Sequence, residues 1–98
     1  MNQFMVEILL PTYMSDALFA YLPQQQRVVN KLFKQGIICS YSFALNRSKI
    51  WIVFNCACKS DVADFVEQFP IAAYTDYTIS ELAFSEQLDY AISTMSLN

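Results

Sequence analysis

Three polar residues, Asn46-Arg47-Ser48, separate two runs of β-branched and aromatic residues at 37–45 and 49–55. A join this short has no room for a crossover, so the two runs pair as an antiparallel hairpin. Ile50-Trp51-Ile52-Val53-Phe54 is apolar on both of its alternating sides. A chain of 98 residues is one domain, because a half-size core buries too little surface to fold alone.

Each flank of the hairpin reads as one helix and one strand. Residues 3–10 alternate, with Phe4, Val6, Ile8 and Leu10 on one side and Met5, Glu7 and Leu9 on the other, and Pro11 stops the strand. Ser15 and Asp16 are N-cap types, but Pro23 suits the first turn of a helix better than its middle. The main helix is therefore predicted over residues 23–35, with a kinked helix from Ser15 as the alternative. Val28, Val29, Leu32 and Phe33 form its apolar stripe. Lys31 and Lys34 favour its C-terminal end, and Gly36 is the natural residue just beyond it.

After the hairpin, Ser60 is predicted to cap a second helix with Asp61 and Asp64 in its first turn. Val62, Phe65, Val66 and Phe69 make its buried face, and Pro70 ends it. A last strand is expected over 74–84, with Thr75, Tyr77 and Ile79 on one side. From Ser85, the residues Leu88, Ala91, Ile92 and Met95 recur at helical spacing, so 85–98 is expected to be a helical tail on a neighbouring protomer, outside a domain at 1–84.

The order strand, helix, strand, strand, helix, strand is the split βαβ, ferredoxin-like pattern. The predicted fold class is α+β: a four-stranded antiparallel sheet with two helices on one face. Large apolar groups on both faces of most strands call for a cover on the second face. The simplest cover is the sheet of an identical chain, giving a dimeric α+β barrel. Composition points the same way. Hydrophobic residues make up 55% of the chain and charged residues 15%, against a usual charged share of about 25%. A lone monomer would show water a sticky surface, and a homo-oligomer is expected, a dimer or a multiple of dimers.

The net charge is −3 and no basic run occurs, which argues against a nucleic-acid partner. No apolar stretch approaches the roughly 20 residues of a membrane span, and no secretion signal is visible. Cys39, Cys56 and Cys58 are odd in number, which fits free thiols in a reducing cytoplasm. With no histidine, the commonest general base and metal ligand is missing. Cys56-x-Cys58 lacks the second pair that structural zinc needs, and one glycine cannot build a phosphate loop. No metal or organic cofactor is expected.

Glu7 is the one carboxylate inside an otherwise apolar strand. On a covered face it becomes a candidate proton acceptor; on an open face it is a solvated or ion-paired side chain. Tyr41, Trp51, Tyr74 and Tyr77 either line a pocket with polar tips or pack as plain core. Arg47 at the hairpin tip is positioned to hold a carboxylate or to sit in solvent. Gln24-Gln25-Gln26-Arg27 falls on the first turn of the predicted helix, where free N–H groups favour anions, and reads best as a hydrated helix start.

The run Gln68-Phe69-Pro70-Ile71-Ala72-Ala73-Tyr74-Thr75-Asp76, the strand around Trp51-Ile52-Val53-Phe54 and the opening Phe4-Met5-Val6-Glu7-Ile8-Leu9-Leu10-Pro11 resemble the muconolactone isomerase family over about residues 3–84. The resemblance implies ferredoxin-like chains in dimeric barrels that build larger rings. It also implies a cofactor-free proton shift in a small unsaturated lactone acid from aromatic-compound catabolism. The family's polar side chains are replaced around Gln24 to Arg27 and at Ile38, Cys39, Ser40 and Ser42. Two readings therefore stand. One is an isomerase-like enzyme with Glu7 as base, Tyr41 or Tyr77 as donor, and Trp51, Tyr74 and Arg47 against the substrate. The other is a non-catalytic oligomeric module that binds a small apolar ligand or serves only in assembly.

Overall fold

The structure is a computed structural model and describes residues 2–83. Its elements are β1 (Asn2–Leu9), α1 (Asp16–Lys34), β2 (Ile38–Phe43), β3 (Lys49–Cys56), α2 (Lys59–Glu67), a 3-10 turn (Ala72–Tyr74) and β4 (Asp76–Leu82). The four strands form one sheet in the order β2-β3-β1-β4, and every neighbouring pair is antiparallel. This is the ferredoxin-like α+β arrangement that the element order predicts. The tail expected over 85–98 and the domain limit expected at 84 lie outside the described residues.

Alternation decides which side of each strand is buried. Phe4, Val6 and Ile8 of β1 stand beside Phe54, Ile52 and Ile50 of β3, and all six are at most 1% exposed. Leu18, Val29 and Leu32 of α1 and Val62 and Val66 of α2 close the same core, so both helices cover one face of the sheet. Burying each such side chain stabilises the fold by about 1.5–3 kcal/mol.

The first helix departs from the expected start at residue 23 and follows the alternative, a helix from Ser15. It begins at Asp16, with Ser15 Oγ accepting the Leu18 N–H at 3.2 Å, and it runs through Pro23. An internal proline costs a helix about 3 kcal/mol. Leu18, Val29 and Leu32 together return more than that, so tertiary packing overrides the local preference. The C-terminal end is as the pattern predicts. Gly36 has φ 74°, its N–H donates to the Phe33 carbonyl at 3.0 Å, and the Ile37 N–H donates to the Leu32 carbonyl at 3.0 Å. These are the two bonds of a Schellman motif.

Three further boundaries differ from the sequence reading. The register of β2 slips between Ile38 and Ser40, so Cys39 leaves the face shared by Ile38 and Tyr41. Such a bulge adds one residue against its partner and breaks strict alternation. The second helix is capped at Cys58 rather than Ser60, because the strand ends at Cys56 and the chain turns at once. The 3-10 turn Ala72–Tyr74 moves the start of the last strand from residue 74 to Asp76, which leaves Tyr77 and Ile79, without Thr75, on the core side.

The other sheet face carries no helix among the described residues. Met5, Leu9, Trp51 and Val53 stand on it from the two central strands, whereas the edge strands present Ser40, Ser42, Thr78 and Ser80, with Leu82 at the far end of β4. The two-sided apolar character expected of most strands is thus concentrated in β1 and β3, with Leu82 as the one apolar residue that β4 adds to this face. The edge strands need polar outer faces where they meet water.

Candidate functional site

Glu7 sits at the middle of the bare face, opposite Trp51 on β3 and Thr78 on β4. The Trp51 indole N–H donates to Glu7 Oε1 at 3.1 Å, and Lys49 Nζ lies 3.4 Å from the same oxygen. Oε2 has no partner among the described residues. The Glu7 side chain is 35% exposed, so its ion pair is partly screened by water. Around it stand Met5, Leu9 and Val53, and Val53 is 4% exposed although it lies outside the helix-side core. The result is an apolar shelf with one carboxylate, one ammonium and one indole N–H grouped at its centre.

Sheet register separates the other sequence candidates from Glu7. Tyr41 pairs with Ile52 and Tyr77 with Ile8, so both tyrosines lie on the helix side. Neither shares a face with Glu7, and one small ligand cannot touch Glu7 and either phenol through the sheet. Tyr77 donates to Glu67 Oε1 at 2.6 Å; that bond, more than burial, holds its pKa above the ordinary value. Tyr74 lies in the 3-10 turn with its ring 5.9 Å from that of Tyr21. Arg47 is at the hairpin tip. Of the six candidates, only Glu7 and Trp51 are brought together, and Lys49 joins them.

Gln25 is the residue that sequence reasoning missed. With the helix starting at Asp16, the run Gln24 to Arg27 sits mid-helix rather than on a first turn, so its N–H groups offer no anion site. Leu18, Leu22, Gln25, Val29 and Leu32 instead recur at alternating spacings of four and three, and Gln25 is turned into the core, 2% exposed. Neither its Oε1 nor its Nε2 has a hydrogen-bond partner among the described residues. Burial pushes the Tyr41 phenol up, and the nearby Gln25 amide draws it part of the way back without reaching hydrogen-bond geometry. An orphaned buried amide costs about 1–3 kcal/mol, so this pair is a second candidate contact for a ligand. The apolar spacing on both sides of Gln25 was the available signal, and it was hidden by the proline.

The thiols are not arranged for joint chemistry. Gln3 Nε2 donates to Cys39 Sγ at 3.6 Å, the thiol donates to the Val53 carbonyl at 3.4 Å, and burial raises its pKa. Burial also raises that of Cys56, with smaller contributions from Asp61 and Cys58. Cys58 is exposed, 3.1 Å from Ser60 Oγ. Among the described residues no group of three or more Cys, Asp or Glu side chains is placed to hold a metal ion. No helix there is long and apolar enough to cross a membrane.

No family model matches the sequence, and no curated protein matches it. Solved structures do resemble the fold. A muconolactone isomerase superposes with a TM-score of 0.68 at 20% identity, over 89% of this chain and 97% of that one. The 5-chloro-2-hydroxyhydroquinone dehydrochlorinase of Burkholderia phenoliruptrix AC1100, in complex with 2,5-dihydroxybenzoquinone, superposes with a TM-score of 0.63 at 11% identity. That match covers 85% of this chain and 95% of the other. The likeness spans nearly the whole of both chains and is one of fold.

Proposed function

We propose that this chain catalyses a cofactor-free proton shift in a small unsaturated ring acid, within a homo-oligomer that covers the bare sheet face. The observation that carries the reading is the state of Glu7. Its carboxylate is oriented through Oε1 by Trp51 and Lys49, and Oε2 is left without a partner among the described residues. A carboxylate held in this way is a positioned base.

Oε2 removes a proton from a carbon beside the ligand's carbonyl. The electron pair moves onto the carbonyl oxygen as an enolate, which the nearby Lys49 ammonium stabilises. The protonated Glu7 then returns the proton to a carbon further along the conjugated system, and the double bond shifts. One carboxylate serves both steps, so no tyrosine on the far side of the sheet is required. A second sheet over Met5, Leu9 and Trp51 would exclude water from the enolate. The fold is shared with two enzymes named for small ring compounds, which supports this substrate class.

The test is deuterium exchange from solvent into added muconolactone, followed by proton NMR. Wild-type protein is expected to exchange the proton beside the carbonyl. Glu7→Gln keeps the shape and loses the base, so the exchange rate should fall by about 100-fold or more with the oligomer intact. Equal rates in the two proteins would refute the base role.

A second reading is favoured by Gln25. The chain then binds a small ligand between α1 and the sheet, where Gln25 and Tyr41 supply the polar contacts, and performs no reaction. Exchange absent from wild type, with ligand-induced shifts at these two residues, would support it.

A further inference from the structure

Arg47 occupies a backbone conformation that an arginine pays to adopt. Its φ is 63°, and it is the only non-glycine residue with positive φ among those described. The tip is a turn in which the Arg47 N–H donates to the Ala44 carbonyl at 2.9 Å, and Arg47 follows in the left-handed region. Glycine or asparagine fills such a position without strain, whereas other L-residues lose about 1–2 kcal/mol there. An outlier of this kind at an exposed tip invites a functional reading.

The tip borders a cleft of about 440 Å³ between the hairpin and the segment joining β1 to α1. Its apolar wall is Leu10, Pro11, Met14 and Phe19, and its polar rim includes Asn46 and Arg47. The Leu10 N–H donates to the Ser48 carbonyl at 2.9 Å, which ties the two walls together and preforms the cleft. The lining holds no carboxylate, and Arg47 has no ion-pair partner among the described residues. Asn46 Oδ1 is engaged by the Ser48 N–H at 3.1 Å and by the Ser48 hydroxyl at 2.7 Å, which leaves the Asn46 amide donors for a ligand.

We propose that this cleft is a binding site for a single-ring organic anion, its apolar body on Leu10, Pro11, Met14 and Phe19 and its oxyanion on Arg47. Volume, wall and charge each restrict the occupant. A space of this size suits one ring with a short substituent. The aliphatic and aromatic wall selects an apolar body. A guanidinium without a carboxylate partner selects an oxyanion, which it binds in fork geometry. The carboxylate and the phosphate share this chemistry. The site lies at one end of the sheet and does not depend on Glu7 acting as a base.

The test is titration of the full chain with benzoate, phenyl phosphate and the neutral isostere benzamide, read by backbone amide shifts in two-dimensional NMR. Benzoate or phenyl phosphate is expected to move the amides of Leu10, Tyr13, Asn46, Arg47 and Ser48, with benzamide at least about tenfold weaker. Whichever anion binds tighter identifies the headgroup. Arg47→Gly should relax the strained backbone, raise thermal stability and weaken the anion at least about tenfold. Arg47→Lys, which keeps charge without the fork, should bind at an intermediate level. Equal binding of benzamide and benzoate, undiminished anion binding by Arg47→Gly, or shifts confined to the bare sheet face or to Gln25 would each overturn the proposal. So would a cleft that none of the three probes perturbs.

Discussion

Gln25 shows how one residue can work against the stability of its own fold. Its amide is buried at the centre of α1 with both polar atoms unpaired among the described residues, at a cost of about 1–3 kcal/mol. Gln25→Leu keeps similar volume and removes that cost, so urea unfolding should show a gain of about 1–2 kcal/mol with an unchanged m-value. A loss of 1 kcal/mol or more would mean that the amide is held by a partner. Tyr41 offers a pH signature at the same place. Burial raises its pKa, so the folded state favours the neutral phenol. Its contribution to stability is complete below the unfolded value near 10 and is lost as pH rises through the higher folded value. Across that range, Tyr41→Phe should lose less stability with rising pH than the wild type. Glu7 stands out in the sequence as a carboxylate among apolar neighbours, but its Trp51 and Lys49 contacts depend on strand register. Nothing local to residues 3–10 reports which side chains stand across the sheet.

The first helix marks where local rules lose to packing. Pro23 removes the N–H that would bond to the Phe19 carbonyl, yet the helix continues because its core face is filled on both sides of the proline. Pro23→Ala restores that donor without touching the buried residues, so stability should rise by about 1–2 kcal/mol in urea unfolding. A neutral or destabilising result would show that the proline fits its site and that its stiffening of the unfolded chain outweighs the lost bond. The opposite end of the helix was legible because a Schellman stop is written in adjacent residues, with Gly36 as its only glycine. The bulge at Cys39 had no such signature. Cys39 bonds to Gln3 and Val53 across the sheet, and only that pairing shows why strict alternation fails there.

At the scale of the molecule, the bare sheet face is expected to govern assembly. Leu9 is 43% exposed there, and Met5 and Trp51 are half-buried beside it. A second copy packed sheet to sheet would bury all three and complete a barrel. Light scattering at micromolar concentration should therefore show a dimer or a multiple of it, and no stable 11.3 kDa species. Met5→Lys puts a charge on the shelf without entering the helix-side core. It should shift the protein to monomer while leaving the circular dichroism spectrum unchanged. A wild-type monomer, or an oligomer indifferent to that substitution, would place the assembly surface elsewhere.

The βαββαβ order, the apolar sides of β1 and β3, the face of α2 and the stop at Gly36 were all determined by the sequence alone. Each depends on residues within one or two turns of each other, where spacing and backbone preference act directly. The tertiary structure alone decided that α1 continues through Pro23, that Gln25 is turned inward, and that Cys39 bulges. It also set Glu7 on the opposite side of the sheet from Tyr41 and Tyr77. Those outcomes rest on contacts between segments far apart in the chain, whose burial energies outweigh the local terms a sequence pattern records.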